Sequence, residues 1–171
     1  MAFTMKVSGK YGTHLAALIK AMEKSDGDVL EMGMGLFSTP YLHCKCMLTN
    51  RKLVSYENYK SYAKFFIHYG YENANHEINI IEDYEKAPIE KPWDVVLIDQ
   101  TPDSSRSISA RRLANLAKYI VIHDSNDHPR NERIYHYSTI YPLFKYKTIW
   151  DKDANHATVL SNFVDLTDFW E

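Results

Sequence analysis

The sequence predicts a three-layer α/β domain: a mostly parallel sheet of about seven strands, helices on both faces, and an antiparallel hairpin at the C-terminus. Three observations carry that expectation. Short apolar runs alternate with helix-length segments along the chain. Five of the runs stop at acids or at His-Asp: Glu31, Glu57, Glu82/Asp83, Asp99 and His123/Asp124. The last two runs, from Tyr146 and from Ala157, are joined by a polar turn through Asp153-Ala154-Asn155.

The 171 residues suit one domain with a sizeable core, led by an N-terminal arm over residues 1–10. A net charge of -2 supplies no basic field, so nucleic acid is not an expected partner. No apolar run reaches the length of a bilayer span, and Met1 to Lys6 lacks a signal-peptide layout. No membrane partner and a cytoplasmic location are therefore expected. Cys44 and Cys46 stand two apart on an expected helix and point to different faces. They read as packing residues of a reducing compartment. The partners left are a small-molecule acceptor and a second copy of the chain.

Gly12-Thr13 opens the first helix, with Thr13 as N-cap and Leu15, Leu18, Ile19 and Met22 on one face. Ser25-Asp26-Gly27 ends it, and Asp28 to Glu31 is the first strand. A helix from Phe37 to about Asn50 follows, with Pro40 in its first turn. Lys52 to Glu57 is the second strand. A helix begins at Asn58, its stripe of Tyr62, Phe65, Phe66 and Tyr69 reads as core, and Gly70 stops it. Glu77 to Ile81 is the third strand, and 86–92 a proline-marked connector. Trp93 to Asp99 is the clearest strand, apolar enough to be covered on both faces. A helix over Ser107 to Lys118 turns Ile108, Leu113 and Leu116 inward. Tyr119 to Asp124 is the fifth strand, and the chain is helical again from Asn131.

Ligands of such sheets lie outside the carboxyl ends of the strands, so the acid tips are the place to look. Gly33-x-Gly35 permits close backbone approach, but Ser38 stands where a dinucleotide fingerprint has its third glycine. Glu57, 22 residues beyond Gly35, is placed to accept both hydroxyls of a ribose. Glu31 at the strand tip would repel a pyrophosphate and favour a ligand bearing an amino or sulfonium cation. An NAD-linked oxidoreductase predicts a glycine at 38 and no acid at 31, so both predictions fail.

The run Val29-Leu30-Glu31-Met32-Gly33-Met34-Gly35-Leu36-Phe37-Ser38-Thr39, Glu57, Asp94 to Asp99 and the final hairpin together resemble the class I S-adenosylmethionine-dependent methyltransferases, from about residue 12 onward. The resemblance implies a Rossmann-like fold with S-adenosylmethionine as cofactor. It implies that Glu31 and the backbone at Gly33 and Gly35, beside Ser38, hold the methionyl end. Glu57 then takes the ribose, Asn58 lies beside the adenosine, and Asp83 and Tyr84 lie beside the adenine. Asp99 lies near the methyl group. Leu97 to Pro102, Arg106 and Ile122-His123-Asp124 look like a subset acting on small or sugar-like hydroxyl groups.

A hydroxyl acceptor must lose a proton, for which His123 is the expected base, with Asp99 orienting it and Asp124 beside it. The plainer reading makes His123 a strand-end histidine and Asp124 an N-cap. Arg106 is the expected anchor for an anionic acceptor group. Arg111, Arg112, Arg130 and Arg133 read as solvated. Asp99, Asp124, Asn126, Asp127 and His128 offer ligands for a divalent metal, which is not the favoured reading. A protein that binds S-adenosylmethionine without transferring the methyl group is the main alternative. Nucleic-acid methylation lacks the basic face it would want.

Overall fold

The structure, a computed structural model, describes residues 8–73 and 75–171. Most of the expected N-terminal arm, residues 1–7, lies outside the described residues; Gly9–Gly12 form a 3-10 turn.

Seven strands form one sheet: β1 (Val29–Met32), β2 (Leu53–Glu57), β3 (His76–Ile80), β4 (Trp93–Ile98), β5 (Ala117–Ile122), β6 (Tyr146–Trp150) and β7 (Ala157–Ser161). Their order is β3-β2-β1-β4-β5-β7-β6. The first five run parallel, and β7 is antiparallel to both β5 and β6. The strand order reverses between β1 and β4. Register sets Met32 beside both Tyr56 and Ile98, and Ile98 beside Ile122. The residues that follow, Gly33, Glu57, Asp99 and His123, therefore emerge side by side at one sheet edge.

Period-2 alternation divides the core into two layers. Leu30, Met32, Val54, Val96, Ile98, Ile120 and Ile122 face Ala110 and Leu113 of α5 (Ser105–Leu113), and Tyr135 of α6 (Pro129–Tyr135). Val29, Leu53, Val95, Leu97, Val121 and Val159 face α1 (Leu15–Glu23) and α2 (Ser38–Thr49). Each fully buried aliphatic side chain stabilises the fold by about 1.5–3 kcal/mol relative to exposure. Glu31 and Ser55 fall in phase with the second layer. They stand under α2 as polar members of an apolar face.

Several sequence expectations are corrected. His14, not Thr13, is the N-cap residue of α1, and the Thr13 hydroxyl turns to the sheet edge instead. The helix after β2 is two short ones, α3 (Lys60–Ala63) and α4 (His68–Glu72). Its aromatic residues and Gly70 are modest helix formers, and three-residue hydrogen bonds tighten the join. Gly70 lies inside α4 rather than stopping it. Phe66 is buried, but Phe65 is exposed. Ile108 points to solvent, because α5 turns its serines inward: Gln100 Nε2 donates to Ser105 Oγ at 2.9 Å and to Ser109 Oγ at 2.8 Å. Cys44 and Cys46 are unpaired, the first exposed and the second buried. Among the described residues, no helix is long and apolar enough to cross a membrane.

Candidate active site

The chain leaving β1 turns tightly at Gly33, whose φ is +90°. A Cβ there would lie 2.6 Å from Gln100 Cα, so only glycine lets the turn cross the exit of β4. Gly33 N donates to Tyr56 O at 3.0 Å, and Asp99 N to Met32 O at 2.9 Å, locking the turn between both neighbouring strands. Gly35 N donates to Thr39 Oγ1 at 2.8 Å, and that hydroxyl donates to Glu31 Oε1 at 2.9 Å. Ser55 Oγ donates to Glu31 Oε2 at 2.7 Å. Glu31, 0% exposed, thus stands beneath the glycine turn and braces it through Thr39. Burial raises its pKa to about 7, although the surrounding hydroxyls hold it down. Ser38 is also buried under the turn. Its hydroxyl helps to lower the Glu31 pKa but falls short of hydrogen-bond geometry with any partner.

Glu57 ties the end of β2 to the same turn. Its Oε2 accepts from Met34 N at 3.1 Å and its Oε1 from Tyr59 N at 2.7 Å. Burial raises its pKa, against the pull of these backbone N–H groups. Each carboxylate oxygen keeps a further lone pair for a ligand hydroxyl. Gly33, Met34, Glu57, Asn58, Tyr59 and Tyr62 line a cavity of about 480 Å³ that runs on to Asp99 and Thr101. Asn58 fixes its far wall, its Nδ2 donating to Thr101 O at 2.7 Å. Asp83 and Tyr84 are not among the lining residues. Asp83 accepts from Glu85 N at 2.9 Å, and Tyr84 is buried in the first core layer. Tyr59 and Tyr62 take the wall instead.

A second lobe of about 480 Å³ shares Met34, Tyr62, Asp99 and Thr101 with the first and reaches Tyr11, Leu36, Arg106, His123, Asp124 and Asn155. Asp99 Oδ1 lies 3.0 Å from His123 Nδ1 and 3.0 Å from Arg106 Nη2. Burial opposes its charge, but the hydrogen bond from His123 and the Arg106 guanidinium win, and its pKa is lowered. His123 Nε2 lies 2.8 Å from Thr13 Oγ1. Asp124 sits at φ +54° beside the lobe. It accepts from Asn155 Nδ2 at 2.7 Å and from Arg106 Nη1 at 3.1 Å.

Arg106 faces the cavity with four of its five N–H groups in hydrogen bonds. It donates to Gln100 O, His123 O, Asp124 Oδ2 and Asp99 O, and its Nη2 forms an ion pair with Asp99 Oδ1 at 3.0 Å. It knits the sheet edge together. Asp124 is not an N-cap, since His128 caps α6. Asn126 is engaged with the turn before β7, its Nδ2 donating to Ala154 O and its Oδ1 accepting from His156 N. Among the described residues, one group of three ligand-type side chains converges: His14, Asp99 and His123. His14 carried no sequence signal, because it precedes its helix and belongs to no motif. It is 1% exposed, and neither ring nitrogen has a hydrogen-bond partner. Burial lowers its pKa to about 4, against the attraction of Asp99.

No family model matches the chain, and no curated protein sequence matches it. Solved structures do. Cofactor-bound Rv0187 from MTB is 16% identical with a TM-score of 0.64, covering 95% of this chain and 84% of that one. The O-methyltransferase TomG from Streptomyces achromogenes, solved with S-adenosylmethionine, is 18% identical with a TM-score of 0.58, covering 93% and 82%. The human METTL16 catalytic domain, solved with an RNA hairpin, is 8% identical with a TM-score of 0.57, covering 95% and 75%. The chain has the fold of the class I S-adenosylmethionine-dependent methyltransferases.

Proposed function

We propose that this protein binds S-adenosylmethionine across the glycine turn and transfers its methyl group to a small, hydroxylated acceptor in the second lobe. The observation that carries the reading is the continuity of the two lobes. One runs from Gly33 to Glu57, the other ends at Asp99 and His123, and Met34, Tyr62, Asp99 and Thr101 belong to both. The residues fit the cofactor. The glycine turn has no room for a Cβ, and Glu57 has acceptor capacity for ribose hydroxyls. Glu31 acts from below, by holding the turn in shape.

When bound, S-adenosylmethionine supplies an electrophilic methyl group on a sulfonium. The rest falls to the chain. Asp99 orients His123 by accepting from Nδ1–H, which leaves the Nε2 lone pair for a proton. Thr13 occupies that lone pair, so an acceptor hydroxyl replaces the Thr13 hydroxyl to deliver its proton. Asp99, Asp103 and Asp124 surround the single cation Arg106, which disfavours an anionic acceptor.

The test is formation of S-adenosylhomocysteine with a panel of neutral hydroxylated molecules. His123→Ala should spare cofactor affinity and lower kcat by about 10²–10⁴-fold. Undiminished turnover would make His123 structural. The occupied Nε2 also favours a second reading, cofactor binding without transfer; it predicts tight nucleoside binding and no product with any acceptor.

A further inference from the structure

We propose that His14, Asp99 and His123 form a binding site for a divalent transition-metal ion at the acceptor end of the cavity. The ligand atoms of the three side chains lie within 4.8 Å of one another. His14 Nδ1 is 3.8 Å from Asp99 Oδ2, and His123 Nδ1 is 3.0 Å from Asp99 Oδ1. Two ligands at about 2.1 Å from one ion stand roughly 3.0 Å apart in an octahedron and roughly 3.4 Å apart in a tetrahedron. The His14 separation is a few tenths of an ångström wider than the tetrahedral span, and His123 stands against the other oxygen of the same carboxylate, so a small shift of the carboxylate and the His14 ring would close the set.

The independent observation is His14. An imidazole 1% exposed, with both nitrogens unpartnered, is a costly thing to bury. It is aimed at a carboxylate and at the edge of a second imidazole, the ring centroids 4.7 Å apart. An ion would take Nδ1, the nitrogen that faces Asp99. Charge agrees: Asp99, Asp103 and Asp124 surround one guanidinium, Arg106, which leaves two negative charges over. Arg106 takes Asp99 Oδ1, so Oδ2, the oxygen facing His14, is the one left for an ion.

At His123 the outer shell is in place as well. Thr13 Oγ1 can donate to Lys10 O at 3.2 Å and accept from His123 Nε2–H, which presents the Nδ1 lone pair to the ion. Two imidazoles and one carboxylate favour zinc, cobalt or iron over magnesium or calcium. The site extends the methyl-transfer reading without depending on it. With an ion bound, His123 would be a ligand through Nδ1, and the ion would supply a positive charge at the acceptor end of the cavity.

The test is titration of chelator-treated protein with Co²⁺, read by visible absorption. One equivalent should bind with nitrogen–oxygen ligand-field bands, and His14→Leu should weaken binding at least about tenfold. Paramagnetic shifts of the His14 and His123 ring protons read the unmodified protein, so the result does not hang on the variant folding. Absence of stoichiometric binding, or shifts that miss both rings, would overturn the proposal. S-adenosylhomocysteine is titrated in parallel. Cobalt bound without the nucleoside leaves the metal site standing and removes the methyltransferase reading; the reverse result does the opposite.

Discussion

Replacing Glu31 by Gln should remove a pH dependence of stability that this one buried carboxyl creates. Its pKa rises from 4.5 to about 7 on folding, with burial the main cause. Between those values the folded chain holds a proton that the unfolded chain has released. Stability from this group is therefore fully present below pH 4.5 and is lost as the pH rises through about 7. From pH 5 to pH 8 the loss is about 2–3 kcal/mol. Gln imitates the protonated acid. Its amide can donate to Ser55 Oγ, whose own hydroxyl then turns to His76 Nε2, 3.0 Å away. His14 and His76 run the other way: burial lowers each from 6.5 to about 4, so their contribution is lost as the pH falls through that range. Both are present in wild type and variant; His14 cancels in the difference, and His76, which shares the Ser55 hydroxyl with Glu31, acts only toward the acid end of the range. Urea unfolding at pH 5 and pH 8 is the assay. The variant should gain on wild type by about 2–3 kcal/mol between the two pH values. Parallel curves would refute a buried, proton-holding Glu31.

Gly33→Ala should cost more than about 1 kcal/mol, because an L side chain is strained at φ +90° and its Cβ meets Gln100 backbone. It should also abolish nucleoside binding; a variant with wild-type affinity would separate the turn from the ligand. Arg106→Met leaves Asp99 and Asp124 without their shared cation. A loss of about 3–5 kcal/mol in urea unfolding is expected. A change below 1 kcal/mol would show that neither carboxylate relies on it.

The sheet was legible because its strands are apolar runs with period-2 burial and polar tips, as Trp93 to Asp99 shows. Neighbouring parallel strands in register bring those tips together, so Glu57, Asp99 and His123 were legible as a group, whereas Glu31, read as a tip, lies inside β1 beneath the turn. What chain order hides is what comes from elsewhere. Thr13 and His14 reach the edge from the turn before α1, over a hundred residues from His123 in sequence. Tyr62 has the spacing of a core residue, yet it lines the cavity, because its helix breaks after Ala63. Arg106 has the position of an anion anchor, but its partners are four backbone and side-chain neighbours that only the folded edge assembles. Asp83 and Tyr84 follow β3 as expected, yet the 3-10 turn at Tyr84–Lys86 carries them out of the lining.

The central claim is that the glycine turn and Glu57 hold S-adenosylmethionine. Isothermal titration with S-adenosylmethionine, S-adenosylhomocysteine and NAD tests it directly, with Glu57→Ala beside the wild type. Both sulfur nucleosides should bind the wild type and NAD should not. The substitution should weaken binding by about ten- to a hundredfold through loss of charge-assisted hydrogen bonds. Binding of NAD with neither sulfur nucleoside, or an affinity indifferent to Glu57, would contradict the account.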